Sequence, residues 1–368
     1  MEKRRAVMPA EWEPQSGVML TWPHAETDWA PYLEEINETY LQMAEAIVRR
    51  ERLLVVTPHA EEIAAMLRER LGERLMQKVR IVQLPTNDTW ARDHGFITLR
   101  CADGSPLLLD FRFNGWGEKF DARLDNAINK GLVEWLSNER RALSDKCTDK
   151  KLTPLNAQHS TLNYKSIDFV LEGGSIESDG AGTIFTTTSC LMAPHRNQPL
   201  TKEQIDERLR EMLCADRIIW LDHGQLTGDD TDGHIDTIVR PCARDTLLYI
   251  RCDNPDDEHY EDFKALEEQL QGLRTAEDEP YKLLPLPFPD PIFYDGERLP
   301  ATYANFLIVN GAVLVPTYGQ PANDKKAMET LQKAFPDREM VPIDSTVITR
   351  QHGSIHCCTM QFPAEMEF

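Results

Sequence analysis

Along this chain a short apolar run is repeatedly followed by a polar, often glycine-bearing passage, then by two β-rich segments around a tight turn, then by a helical stretch. The single runs fall at residues 79–84, 167–171, 218–221, 281–286 and 340–343, each about one strand long. The paired segments span 95–111 around Asp103-Gly104, 174–187 around Asp179-Gly180, 234–250 around Ala243-Arg244 and 305–315 around Asn310-Gly311. Asp-Gly and Asn-Gly between apolar runs are hairpin signals, because both central positions of such a turn favour positive φ. The fifth pair has only its first arm, 353–361, while the apolar run 17–22 has no partner. Pairing those two would close a ring.

Helices are expected over 32–50, 60–71, 124–139, 202–213, 257–273 and 324–334, with apolar spacing such as Ile63, Met66, Leu67 and Leu71. One such unit cannot bury both faces of its strands, but neighbouring copies can cover one another. The expected fold is therefore α/β, a five-bladed pseudo-symmetric propeller of ββαβ units, with residues 1–368 forming a single catalytic domain.

Hydrophobic residues make up 41% of the chain and charged residues 27%, and no apolar run approaches eighteen residues, so a buried core is expected and a membrane span is not. The basic opening, residues 1–5, meets Glu11, Glu13 and Pro14 where the apolar segment of an export signal belongs. Eight cysteines with no Cys-x-x-Cys pair fit reduced thiols in a cytoplasmic protein better than a disulfide framework or a zinc site. A net charge of −21 argues against a nucleic-acid partner and is compatible with a small cationic substrate.

Chemistry-bearing residues gather where the hairpins begin: Asp93 after Trp90, Glu172 before Gly173-Gly174, His234 and Asp236 after Gly233, and Cys357 near the end. A guanidinium group is planar and cationic, with five N–H donors, and its recognition requires carboxylates around its edge. Asp93 and Asp236 suit that task. Residues two apart on a strand share a face, so His234 and Asp236 are expected to point into one cavity; Asp93 is expected in a turn or bulge. A thiolate is the side chain best able to attack the resonance-stabilised carbon. Cys357 would add to it, His234 would protonate the departing ammonia and then activate water, and Glu172 would hold His234 or a guanidinium N–H. Cys358, facing the opposite way on a strand, is the core residue of the pair. Trp90 and Trp116, alone, read as core aromatics.

The motifs Trp22-Pro23-His24, Asn87-Asp88-x-Trp90-x-Arg92-Asp93, Phe113-Asn114-x-Trp116-Gly117, Glu172-Gly173-Gly174, Asp179-Gly180-x-Gly182-Thr183, Asp230-Thr231-Asp232-Gly233-His234-x-Asp236, Tyr303-x-Asn305-Phe306 and Ile355-His356-Cys357 resemble those of agmatine deiminases, in the guanidino-modifying superfamily. They run in order over nearly the whole chain. The resemblance implies the pentein fold, a five-bladed α/β propeller, and makes Cys357 the nucleophile and His234 the general acid and base. It makes Asp93 and Asp236 the guanidinium ligands and Glu172 a supporting carboxylate. Asp230 falls at an acidic substrate contact of the family, and Trp90 and Trp116 are expected beside the substrate. The implied reaction converts agmatine and water to N-carbamoylputrescine and ammonia with no metal or organic cofactor, in a homo-oligomer such as a dimer. Two positions depart from the family pattern: Gln351-His352-Gly353-Ser354 stands where Gly-Gly-Gly-Asn is usual, and Thr237 where Asn is usual.

The nearest rival is a deiminase of free or peptidyl arginine with the same thiol. A substrate carboxylate would call for a cation at the cavity mouth, whereas the agmatine ammonium calls for acids and aromatics such as Asp229, Asp230, Trp116 and Trp22. An amidino-transferase would need an acceptor site that the sequence does not reveal. A metal hydrolase built on His234, Asp236, Asp93 and His356 would lack the usual ligand spacing.

Overall fold

The computed structural model describes residues 6–146, 162–366 and 368, so the basic opening of the chain lies outside the described residues. Among these, five larger sheets share one plan. In each, an antiparallel pair is extended by a strand parallel to its second member. The first sheet pairs Thr359–Pro363 with Gln15–Thr21 and continues through Arg52–Thr57 to Val79–Gln83. The second joins Ile97–Cys101, Pro106–Arg112 and Tyr164–Val170. The third joins Ile176–Ser178, Thr183–Thr187 and Arg217–Leu221. The fourth joins Val239–Ala243, Thr246–Arg251 and Lys282–Pro287, and the fifth Leu307–Val309, Ala312–Thr317 and Glu339–Asp344. The expected pairing of the last strand with the first long one is thus present.

Helices provide the crossovers that parallel neighbours require. Asp125–Lys146, Lys202–Leu213, Tyr260–Gly272 and Pro321–Ala334 each lie between the second and third strands of a sheet, and the first sheet has two, Leu33–Val48 and Ala60–Met76. Lys202–Leu213 begins at a capping box, Thr201 accepting from the Gln204 N–H and Gln204 answering at the Thr201 N–H. The strands are apolar on both faces because both faces are covered. Val18, Leu20, Leu53 and Val55 join a core with Leu307, Val309 and Leu314 of the fifth sheet, while Met19, Leu54 and Val56 join another with Phe96, Leu108, Ile128 and Leu132. The first sheet is therefore a wall between two cores, and its apolar side chains hold neighbouring units together. No helix among the described residues is long and apolar enough to cross a membrane.

Several local expectations need correction. The single runs do not start a unit with the hairpin that follows; Tyr164–Val170, for example, completes the sheet of the hairpin before it. Arg52–Thr57 is a strand where the sequence pattern places none: only three residues separate it from the preceding helix, and its run of buried residues shows no alternation. His234 and Asp236 do not sit on a strand. His234 leads into the 3-10 turn Ile235–Thr237. The loop curls because the Asp229 carboxylate accepts the N–H groups of Thr231 (3.0 Å) and Gly233 (2.7 Å), with Gly233 at φ 98°. The Thr237 hydroxyl then closes the turn by donating to the His234 carbonyl at 2.7 Å. Asp93 belongs to the short helix Ala91–His94 rather than a turn or bulge. Cys357 and Cys358 lie in a turn before the strand that opens at Thr359, so strand alternation does not explain their separation, although Cys358 is fully buried.

Candidate active site

Five loops, each leading into the first strand of a sheet, supply the site. They bring Asp93, Glu172 with Gly174, His234 with Asp236, Asn305, and Cys357 to one buried cluster. The Cys357 loop is fastened from below by Arg92, whose backbone N–H donates to the Cys357 carbonyl at 3.1 Å and whose Nη2 donates to Gln361 Oε1 at 2.6 Å. It is fastened from the side by Gly353, which lies against the Trp90 indole so closely that a β-carbon there would overlap the ring. That contact needs glycine.

Cys357 Sγ lies 3.8 Å from Asp236 Oδ2 and 3.3 Å from Asn305 Nδ2. Asp93 Oδ1 accepts the Gly174 N–H at 3.0 Å and stands 3.6 Å from His234 Nδ1, while its Oδ2 accepts the Trp116 indole N–H at 2.9 Å. Gly174 occupies the middle of these groups. A β-carbon on it would come within 2.6 Å of His234 Nδ1, 2.9 Å of Asp93 Oδ1 and 3.1 Å of Asp236 Oδ2. Asp236 Oδ2 also meets His356 Nδ1 at 2.7 Å, leaving Asp236 Oδ1 buried with no partner. Both ring nitrogens of the fully buried His234 are likewise without hydrogen-bond partners. Unpaired buried acceptors are costly, and a planar donor of several N–H groups is what would satisfy them.

The electrostatics of the site favour neutral groups. Burial, then Asp236 and Asp93, push the Cys357 thiol well above its ordinary range. Burial, then Asp236 and Glu172, do the same to the Asp93 carboxyl. Burial drives His234 down to about 3, so its imidazole is neutral near pH 7. Asp236 is the exception: burial opposes its charge, but the His356 hydrogen bond, with the Arg240 guanidinium nearby, holds it below the usual carboxylate range. An ionised Asp236 can only accept, so His356 Nδ1 carries the proton between them and cannot ligate a metal through that nitrogen.

Glu172 forms an ion pair with Arg196, Oε1 to Nε at 2.9 Å, both fully buried. Burial raises Glu172 despite that cation. Ligand atoms of Glu172, Cys190 and His234 gather within 4.8 Å, as do those of Glu11, Glu177 and His356. Each group already has a guanidinium against it, Arg196 in the first and Arg240 in the second, which supplies the cation those carboxylates need.

The five residues expected to carry the reaction are thus brought together. Trp116 reaches the cluster by holding Asp93, and Trp90 by shaping the Cys357 loop. Asp230 lies on the loop before His234, its half-exposed carboxylate 3.9 Å from His352 Nδ1 and its carbonyl accepting from Lys119 Nζ at 2.6 Å. Asp229 serves its own loop's turns, and Trp22 is fully buried with its indole N–H donating to Asn37 at 2.7 Å. Sequence reasoning gives Asn305 a place in a motif but no role, His356 a role only in the rival metal hydrolase, and Arg196, Arg240 and Glu11 no part in the site. Arg240 carried a signal, since an arginine inside an apolar strand must find a buried partner; its partners are Glu11, Glu177 and the carbonyls of Ala304 and Phe306.

A buried thiol among carboxylates and a neutral imidazole, on sheets of this plan, places the chain among the deiminases. In particular, the Porphyromonas-type peptidyl-arginine deiminase model matches residues 7–363, and the chain belongs to that family. It is 45% identical to a Porphyromonas gingivalis protein provisionally assigned as an arginine deiminase, with 98% and 99% of the two chains covered and a TM-score of 0.84. The agmatine deiminase of C. jejuni, solved with substrate bound, is 35% identical with a TM-score of 0.83 over 97% of this chain and 96% of that one. The agmatine deiminase of Pseudomonas syringae pv. tomato is 34% identical over 97% of this chain and 95% of its own length.

Proposed function

We propose that this protein hydrolyses agmatine to N-carbamoylputrescine and ammonia through an amidino-cysteine intermediate. The observation that carries the reading is the set of buried polar atoms without partners around Gly174: the acceptor Asp236 Oδ1 and the two nitrogens of His234, one a donor and one an acceptor, facing Asp93 beside the Cys357 thiol. A guanidinium entering there would donate to Asp93 and Asp236 and neutralise the charge that keeps the thiol protonated. The thiol proton passes to His234 as sulfur adds to the central carbon. The carbon–nitrogen bond then breaks, and the imidazolium gives its proton to the leaving ammonia. Water, deprotonated by the same imidazole, adds to the amidino carbon; the carbon–sulfur bond breaks, the departing sulfur takes the proton back from the imidazolium, the hydroxyl proton goes to the released ammonia, and the ureido product leaves. Glu172 supports His234, and Asp93 and Asp236 orient the cation throughout.

Agmatine is favoured over arginine by the charges beside the site. Arg196 is committed to Glu172, Asp232 and the Thr231 carbonyl, and Lys119 to Asp232 and the Asp230 carbonyl, while the Asp230 carboxylate is half exposed. That setting suits an ammonium better than a carboxylate. The same reading takes the five sheets as blades around the shared cluster, with residues 1–368 acting as one catalytic domain, cytoplasmic and assembled as a homodimer. Its support is the common sheet plan and the pairing of Thr359–Pro363 with Gln15–Thr21. Deimination of free or peptidyl arginine is the second reading, favoured by the P. gingivalis relative.

Ureido-product formation from agmatine, arginine and a blocked arginyl peptide, each supplied separately, tests the proposal. Turnover of agmatine alone, abolished in Cys357→Ala, is the expected result. Turnover of an arginine compound instead overturns the substrate, and activity that survives Cys357→Ala overturns the mechanism.

A further inference from the structure

The carboxyl ends of three parallel strands in the first sheet carry a second cluster, which the reaction does not use. His24 follows the strand Gln15–Thr21, His59 follows Arg52–Thr57, and Thr86 follows Val79–Gln83. Ligand sites form readily at such ends, because loops from adjacent parallel strands converge there. His24 Nδ1 lies 2.7 Å and His59 Nε2 3.0 Å from the same oxygen, Glu26 Oε2, and the two rings stand edge to face 5.5 Å apart. The three donor atoms all lie within 4.8 Å of one another.

We propose that His24, Glu26 and His59 form a binding site for one divalent transition-metal ion of the zinc class, with a fourth position open to solvent. Two imidazoles and one carboxylate are a donor set of open zinc sites. With metal–ligand distances of about 2.0–2.2 Å, neighbouring ligands stand a little over 3 Å apart, so the observed spacing needs only a small outward swing of one side chain. Glu26 can make it, since its side chain is 66% exposed. His24 is buried and already oriented: its other nitrogen, Nε2, lies 2.9 Å from Thr86 Oγ1, the kind of outer partner that fixes a ligating imidazole.

Occupancy would tie the loop after the first of these strands to the start of the helix Ala60–Met76. The same loop carries Trp29, whose ring lies 5.8 Å from that of Trp90 and whose indole N–H donates to Asp88 at 3.0 Å. The metal would thus brace the outer wall of the aromatic group that shapes the Cys357 loop.

The test is calorimetric titration of the purified full-length protein with zinc chloride, alongside Glu26→Gln, His59→Asn and Cys357→Ala. Both cluster positions are partly or largely exposed, so their variants should fold, and metal-free Tm values equal to wild type check this. The expected result is one zinc equivalent bound by wild type and Cys357→Ala, weakened about 100-fold or more in both cluster variants. Zinc should also raise Tm in wild type and Cys357→Ala but not in the two cluster variants, as ligand linkage requires, and should protect His59 from diethylpyrocarbonate, read by peptide mass spectrometry. No zinc binding, an isotherm shared by wild type and the cluster variants, or binding lost only in Cys357→Ala overturns the site.

Discussion

Asn305 grips the backbone that presents Cys357: its Oδ1 accepts the N–H groups of His356 at 3.0 Å and Cys357 at 3.3 Å, which leaves Nδ2 facing Sγ at 3.3 Å. The amide orientation follows from those two backbone donors. One side chain therefore sets both the position of the thiol and a donor toward its thiolate. Asn305→Ala should lower kcat for agmatine about 100-fold with KM little changed, because the loss falls on alignment of the nucleophile. It should also lower Tm, since the buried Cys357 N–H loses its acceptor at about 1–3 kcal/mol, while the His356 N–H keeps the Asn305 carbonyl at 3.2 Å. An effect confined to KM would count against this role.

Gly174 is needed for space rather than for an unusual backbone, because its φ is not in the left-handed region. Gly174→Ala would push a methyl group between His234, Asp93 and Asp236. Overpacking of this kind costs about 1–3 kcal/mol, a modest loss for a chain of this size. Its effect on turnover should be larger, at least about 100-fold, because three reacting groups move together. Thermal melting and steady-state kinetics on the same sample separate the two. A folded variant with wild-type kcat/KM would show that the space is not used by substrate.

The legible part of this molecule was local. Asp-Gly and Asn-Gly marked the hairpins, and the turns at Gly104, Gly180 and Gly311 have positive φ as those signals require. Glu172, His234 and Cys357 stood out because each is a reactive group close to glycine in a polar passage. What escaped depends on partners far apart in the chain. His356 meets Glu11 across 345 positions, and Asn305 meets Cys357 across 52. Nothing in the residues around Glu11 distinguishes it from a surface acid. The strand placement of His234 and Asp236 failed for a similar reason: Asp229, Gly233 and Thr237 together bend the loop, and no period in the sequence encodes that bend.

Glu172 and Arg196 form a pair whose separate removal should cost more than joint removal. Both are fully buried at 2.9 Å. Arg196→Met leaves Glu172 without its cation and Asp232 without one of two, a change of the kind that costs about 3–5 kcal/mol. Adding Glu172→Gln removes the stranded carboxylate, so the double variant should recover a large part of that loss. Activity should not return with stability, because the double variant lacks the carboxylate that lies beside His234. Denaturant melts of the two single variants and the double variant give the coupling directly. Additive losses would mean that the pair does not act as a unit.

The Cys357 thiol should become more reactive when the site is given a positive charge. Burial, Asp236 and Asp93 raise it well above 9.0, so the free protein holds thiol rather than thiolate near pH 7. Alkylation by iodoacetamide requires the thiolate and should rise about tenfold per pH unit, with no plateau below pH 9. A bound guanidinium ion offsets the two carboxylates and lowers the thiol's pKa. At fixed pH 8 the alkylation rate of Cys357 should therefore increase with guanidinium. Asp236→Asn removes one of those charges and should shift the profile in the same direction while turnover of agmatine falls, because the lost carboxylate also holds the substrate. Peptide mass spectrometry resolves Cys357 from the other thiols. A plateau already reached below pH 8 in the free protein, or an unchanged rate with guanidinium, would show instead that the thiolate forms without help from the cation.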